Sequence, residues 1–206
     1  DDFYRDYSLR LTLQANDRNK VVVGGSFQHN CNCVYALFRP QGGSLVTPEA
    51  ATEHEYEPDF NVTSTWTYTM SSKMLLTAAG GINHITQTNK RGEGVDVNSI
   101  QITEQSVDLK YGAAYGATAG GSSYSTLPRR QYHQQFAVTY VTGSHNFKSG
   151  VNLRELSTGD NKKYGSDLFM ANRAILYTFN NQRPVSLQLL ATPTHFEESA
   201  LDAAVY

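Results

Sequence analysis

Residues Tyr132–Leu156 read YHQQFAVTYVTGSHNFKSGVNLREL. Tyr132, Gln134, Phe136, Val138 and Tyr140 occupy one parity, His133, Gln135, Ala137 and Thr139 the other. After Thr142, Gly143, Ser144 and His145 the alternation resumes, with Phe147, Val151 and Leu153 against Asn146, Lys148, Asn152 and Arg154. Period-2 alternation over about ten residues specifies a strand, and two such runs around a Gly-containing turn specify a hairpin. A tilted strand of about 9–11 residues is also what crosses a bilayer. In a water-soluble hairpin Tyr132 and Tyr140 are half-buried aromatics. In a membrane barrel they are girdle residues at the two interfaces.

The pattern recurs on both sides. Upstream, Phe60, Val62, Trp66, Tyr68 and Met70 alternate with Asn61, Thr63, Thr65, Thr67 and Thr69. They turn at Ser71–Lys73 and return through Met74, Leu76, Ala78 and Ile82. Earlier still, Tyr7, Leu9, Leu11 and Leu13 run into the polar turn Asn16–Asn19, followed by Val21, Val23 and Phe27. Downstream, Ile175, Tyr177 and Phe179 pair with Val185, Leu187 and Leu189 across Asn180–Pro184, and Leu201–Tyr206 starts a further strand. Polar segments separate the hairpins: His29–Pro58, His84–Arg130 (with the Gly/Ser/Ala tract Gly116–Ser125) and Gly159–Gly165. Within the second, Ile100–Tyr115 alternates in part and reads as a strand reaching beyond a membrane. The rhythm is strand, short turn, strand, long loop. Transmembrane barrels have this asymmetry, with short turns on one side and long loops on the other. A β-sandwich spaces its turns at about 8–12 residues without it.

Composition narrows the function classes. The 206 residues hold 17 Lys+Arg against 19 Asp+Glu, so the electrostatic case for nucleic acid is absent. Aromatics are mostly Tyr (13) and Phe (9), and charged residues make up 17%. Such a chain is neither disordered nor a helical bundle. Mean hydropathy is −0.46, with no apolar run of transmembrane-helix length. A barrel is compatible with that value because only alternate residues meet lipid. The first ten residues have no basic region followed by an apolar core, so they do not read as a signal peptide.

Several stretches resemble the barrel portion of TonB-dependent outer-membrane receptors, in the Oar-like branch that carries a carboxypeptidase-regulatory-like domain. They are Asn19–Lys20, Gln28–Cys33, Thr47–Ala51, Trp66–Tyr68, Ile102–Ser106, Tyr140–Lys148, and Tyr177–Asn181 with Ala191–Pro193. Val141–His145 before Phe147–Lys148 is the most specific. The resemblance implies an all-β fold, an antiparallel meander of long hairpins forming an open fragment of a barrel of about 22 strands. Residues 1–206 then form a middle piece of that barrel, about eight to ten strands, without a plug domain. The implied function is energy-coupled substrate uptake at the bacterial outer membrane. The implied partners are membrane lipid, the plug and remaining barrel of the same protein, the TonB complex and an unidentified ligand. The rival reading is a soluble β-sandwich or lectin-like binding module with long loops. A passive channel or structural barrel is a third.

Site candidates follow. Phe60, Val62, Trp66, Tyr68, Phe136, Val138, Tyr140, Phe147, Val151 and Leu153 are expected to form one lipid-facing band, with Thr63, Thr65, Gln135 and Asn152 facing a wet lumen. Cys31 and Cys33 are expected in an outer loop. They are open to three readings: a local disulfide, free thiols, or a metal site with His29 and His54. Glu53, Glu55 and Glu57 alternate, so an extended segment would point them one way, toward a cation or toward solvent. Lys90–Arg91 and Arg129–Arg130 are basic pairs for lipopolysaccharide phosphates or solvent. Ser144 and His145, adjacent in a turn, lack nucleophile–base geometry. Asn61–Thr63 matches a glycosylation acceptor but lies within a strand. No phosphate-binding glycine loop, metal-ligand histidine pattern or acid pair is present. The chain therefore reads as a non-enzyme with no catalytic residues, no cofactor and no dedicated metal centre.

Overall fold

The computed structural model describes residues 2–35, 45–91, 94–95, 99–113, 126–159, 175–189 and 198–206. The Gly116–Ser125 tract and Ala191–Pro193 lie outside them. The described chain is almost entirely strand. The one helical element among the described residues is a 3-10 turn at Pro48–Ala50.

Seven strands form one open sheet in the order β1-β2-β4-β5-β8-β9-β12, every neighbour antiparallel. They are β1 (Phe3–Asn16), β2 (Asn19–Tyr35), β4 (Thr52–Thr69), β5 (Met74–Arg91), β8 (Thr126–Thr142), β9 (His145–Thr158) and β12 (Glu198–Val205). The sheet does not close on itself, leaving β1 and β12 as edges. Its short turns have local chemistry. The Asn16 side-chain oxygen accepts from the backbone N–H of Arg18 and of Asn19, both at 3.0 Å, closing the β1–β2 turn. Gly143 adopts φ 53° in the two-residue β8–β9 turn, a conformation glycine enters without Cβ strain. In the middle turn the Ser71 hydroxyl accepts from the N–H of Lys73 and Met74.

The three turns lie at one end of the sheet. Thr69 N–H donates to Arg18 C=O across the first two, and Val141 N–H to Lys73 C=O across the next two, each at 2.8 Å. The connections β2–β4, β5–β8 and β9–β12 therefore leave from the opposite end. Each contributes to a second sheet, of order β11-β10-β6-β7-β3. Its strands are β3 (Leu45–Val46), β6 (Gln101–Glu104), β7 (Leu109–Tyr111), β10 (Ile175–Asn180) and β11 (Arg183–Leu189). The β6–β10 and β3–β7 pairs are parallel.

Two sequence expectations need correction. His29–Pro58 and His84–Arg130 are not loops throughout, because β2 runs on to Tyr35, β4 begins at Thr52, and β5 continues to Arg91. Their outer parts carry polar residues on both faces, so the alternation that betrays a strand fades although the hydrogen-bond ladder continues. The Ile175–Leu189 hairpin pairs as expected, apart from a register shift at Phe179. It belongs to the second sheet, since local alternation identifies a hairpin but not the sheet it joins. Ile100–Tyr115 contains two short strands, β6 and β7, folded against each other. The further strand expected from Leu201 is present, beginning at Glu198 and pairing with β9 through Val205.

Candidate functional site

Residues paired directly across an antiparallel ladder project to the same face. One row crosses all seven strands: Leu13, Val21, Trp66, Ala78, Phe136, Val151 and Val205. Every member is apolar. The neighbouring row on the opposite face is Thr12, Val22, Thr65, Ala79, Gln135, Asn152 and Ala204. The registers put Phe60, Val62, Trp66, Tyr68, Phe136, Val138, Tyr140, Phe147, Val151 and Leu153 on a single face. Thr63, Thr65, Gln135 and Asn152 lie on the other. Tyr7, Leu9, Leu11, Val23, Phe27, Met74, Leu76, Ile82, Tyr132 and Leu201 extend the apolar face. Ser64, Gln134, Ser149 and Glu155 interrupt it.

Nothing in the described chain covers this face. Phe136 is 42% exposed in mid-sheet, and Leu9, on the edge strand, 67%. The buried apolar residues are few and small, namely Cys31, Ala50, Ala51, Ala113 and Ala137, so no second layer supplies a core. Apart from the mid-span Phe136, the aromatics of the apolar face sit toward its two borders. Phe60 and Tyr68 are eight residues apart on β4, as are Tyr132 and Tyr140 on β8. Trp66 and Tyr68 stack with centroids 5.8 Å apart, and the Trp66 indole N–H donates to Asn19 Oδ1. That bond leaves an apolar body with a satisfied polar tip near the turn end.

The opposite face is polar and internally bonded. Arg154 Nε donates to Asp202 at 3.0 Å, joining β9 to β12. Gln135 Nε2 donates to the Tyr206 hydroxyl at 2.7 Å. The Tyr206 ring lies over Gly150, where an added Cβ would stand 2.5 Å from Phe136 C=O and 2.8 Å from the hydroxyl. A side chain here would force these neighbours to shift.

Beyond Phe27 and Phe60, on the same face as the apolar band, stands a charged cluster drawn from β2, β4 and β5. His29 Nε2 is 3.0 Å from Glu55 Oε1 and 3.4 Å from Glu57 Oε2. Lys90 Nζ bridges Glu53, at 3.4 Å, and Glu55 Oε2. The Lys90 ammonium holds the Glu55 carboxyl below its usual range, opposed by burial and aided by His29. Glu55 in turn raises Lys90 above the ordinary lysine range. Cys31 and Cys33 are joined in a disulfide on β2, with Cα atoms 5.1 Å apart, in a strand and not in an outer loop. Their sulfurs are therefore not metal ligands. By sequence proximity His29 groups with the cysteines. The pairing of Cys31 with Glu55 sets it beside the glutamates instead.

A second site went unmarked in the sequence. Glu104, 7% exposed, ends β6 beneath the β10–β11 turn. Its Oε1 accepts from Asn181 N–H at 2.9 Å and Ser106 N–H at 3.2 Å, and its Oε2 from Gln182 N–H at 3.1 Å. Asn181 and Gln182 have φ of 51° and 61°, the two positive values of a type I′ hairpin turn. The Ser106 hydroxyl, followed by these N–H groups, holds the Glu104 carboxyl below its usual range.

No family model, curated protein or solved structure matches the chain.

Proposed function

We propose that the chain is part of the barrel wall and outer loops of an energy-coupled outer-membrane receptor of the TonB-dependent kind, an uptake protein. The observation that carries the reading is the uncovered apolar face that runs across seven strands with aromatics toward its borders. Eight residues at about 3.4 Å each span about 27 Å. Tilted by about 40°, the two aromatic borders stand about 21 Å apart in height, close to the apolar band of about 25 Å of outer-membrane barrels. In water this face would be a far larger apolar patch than monomers tolerate. In lipid it is the stabilising surface. The open edges β1 and β12 leave ladder groups that lipid does not satisfy, so the reading requires further strands, supplied by the rest of the same barrel. The short turns then lie on the periplasmic side, with the strand extensions and second sheet outside, where a ligand would be captured. The opposite face, with Thr63, Thr65, Gln135 and Asn152, faces a wet lumen and its plug. A β-sandwich module would cover the apolar face with a second layer. The small second sheet instead gathers the connections from one end.

Depth-dependent quenching tests this reading. A fluorophore is placed at Val62 or at Thr63 in the protein that carries this chain, folded into vesicles of bromine-labelled lipid. Quenching at Val62 with little at Thr63 is expected. Equal quenching at both, or none at either, would refute the membrane assignment.

A further inference from the structure

We propose that His29, Glu55 and Glu57 form a binding site for a first-row divalent transition-metal ion, with Zn2+ as the reference, at the outer rim of the apolar band. Three observations lead there. First, one imidazole nitrogen and two carboxylates each offer a ligand atom, and these atoms all lie within 4.8 Å of one another. Zinc takes nitrogen and oxygen ligands at about 2.0–2.2 Å, so the edges of a tetrahedral site measure about 3.3–3.6 Å. The His29–Glu57 separation of 3.4 Å already matches such an edge, and the His29–Glu55 separation of 3.0 Å needs only a small outward movement. Second, the ligands are held from outside. The Phe3 ring meets the His29 imidazole edge to face, with centroids 4.9 Å apart. Lys90 engages the far oxygen of Glu55, Oε2, leaving Oε1 toward His29. Arg5, paired with His29 in the ladder, lies over the Phe3 ring, 5.0 Å from its centroid. Third, the site stands where the β2–β4 ladder is irregular, between Gln28 and Asn30 on β2 and between Tyr56 and Asp59 on β4. A metal bridging His29 on one strand to two glutamates on the other joins them across that break. The imidazole favours zinc-class ions over Mg2+ and Ca2+, which prefer all-oxygen sites. Three protein ligands leave one position for water or an exogenous donor. The disulfide keeps Cys31 and Cys33 out of the set.

The test uses the protein that carries this chain, purified folded in detergent and stripped with a chelator. Zinc binding is followed by calorimetry and by the thermal unfolding midpoint, with Mg2+ in parallel. Expected is a site whose affinity falls by more than the roughly 10–100-fold typical of outer-shell changes in both His29→Ala and Glu57→Gln. Zn2+ but not Mg2+ should raise the midpoint of the parent protein. Glu53→Gln, at a carboxylate that pairs with Lys90 and lies outside the proposed ligand set, should leave zinc affinity unchanged. Co2+ loaded in place of Zn2+ should give visible d–d absorption that His29→Ala abolishes. The Glu57 side chain is 46% exposed, so its variant reports on binding even where His29→Ala disturbs folding. Zinc affinity that is undetectable in the parent, or identical in the parent and Glu57→Gln, means that the cluster is an ion-pair network only and overturns the proposal. The quenching result for Val62 and Thr63 is independent of this outcome.

Discussion

The proposed barrel reading makes Val138 lipid-facing and Thr139 water-facing, so arginine at each of these adjacent positions tests it. Val138 shares its face with Tyr68, Leu76 and Ser149, and Thr139 lies on the opposite face beside Leu75 and Lys148. On β8 the apolar span between Tyr132 and Tyr140 is centred on Phe136, so Val138 is two residues from the middle. Two residues at about 3.4 Å, tilted by about 40°, put it about 5 Å from the midplane of a band about 25 Å tall. Arginine costs about 2–4 kcal/mol at the midplane and about 0–1 near the interface. Interpolation gives about 2 kcal/mol for Val138→Arg, a factor of roughly 30 in the folding equilibrium. Tyr140→Arg, at the border, should fall near the interfacial value apart from its lost ring. Thr139→Arg should stay within about 0.5 kcal/mol, the usual range for surface changes. The assay is reversible denaturant unfolding of the protein that carries this chain, folded in lipid vesicles, read by tryptophan fluorescence. Equal penalties at 138 and 139, or a larger one at 139, would refute the face assignment.

Three further outcomes follow from the geometry. The folded-state pKa of Glu104 is depressed, so its stabilisation is present above the unfolded value of about 4.3 and is lost as pH falls through the folded value. Amide protection of the β10–β11 hairpin should therefore fade below about pH 4, and Glu104→Gln should weaken it at neutral pH, both read by hydrogen exchange. Gly150→Ala should destabilise by about 1–3 kcal/mol in urea melts, the cost of overpacking, because its Cβ meets Phe136 C=O and the Tyr206 hydroxyl. Asp202→Asn should cost no more than about 1 kcal/mol despite its geometry with Arg154, because both side chains are more than half exposed, at 61% and 56%.

Alternation by itself determines the strands of the apolar band and their two faces. The period of a strand is two and is local, so Phe60–Tyr68 and Tyr132–Tyr140 declare an apolar side without reference to any partner. The turns are local too. Asn16 closes its own hairpin, and Gly143 supplies a positive φ. The sequence also holds the length asymmetry that places these turns at one end. What it cannot express is pairing between segments far apart. The outer reaches of β2, β4 and β5 carry polar residues on both sides, so only the ladder identifies them as strand. The Ile175–Leu189 hairpin has the same local pattern as the hairpins of the seven-stranded sheet, and its parallel contact with β6 assigns it to the second sheet. Glu104 has no distinguishing mark in sequence until Asn181 and Gln182, more than 70 residues away, bring two backbone N–H groups to its carboxylate beside that of Ser106. His29 and Glu55 are separated by 26 residues. Their meeting depends on the β2–β4 register and on the irregularity near Glu57, which are tertiary facts. Local chemistry sets which face is apolar, and long-range registry sets which charges meet beyond it.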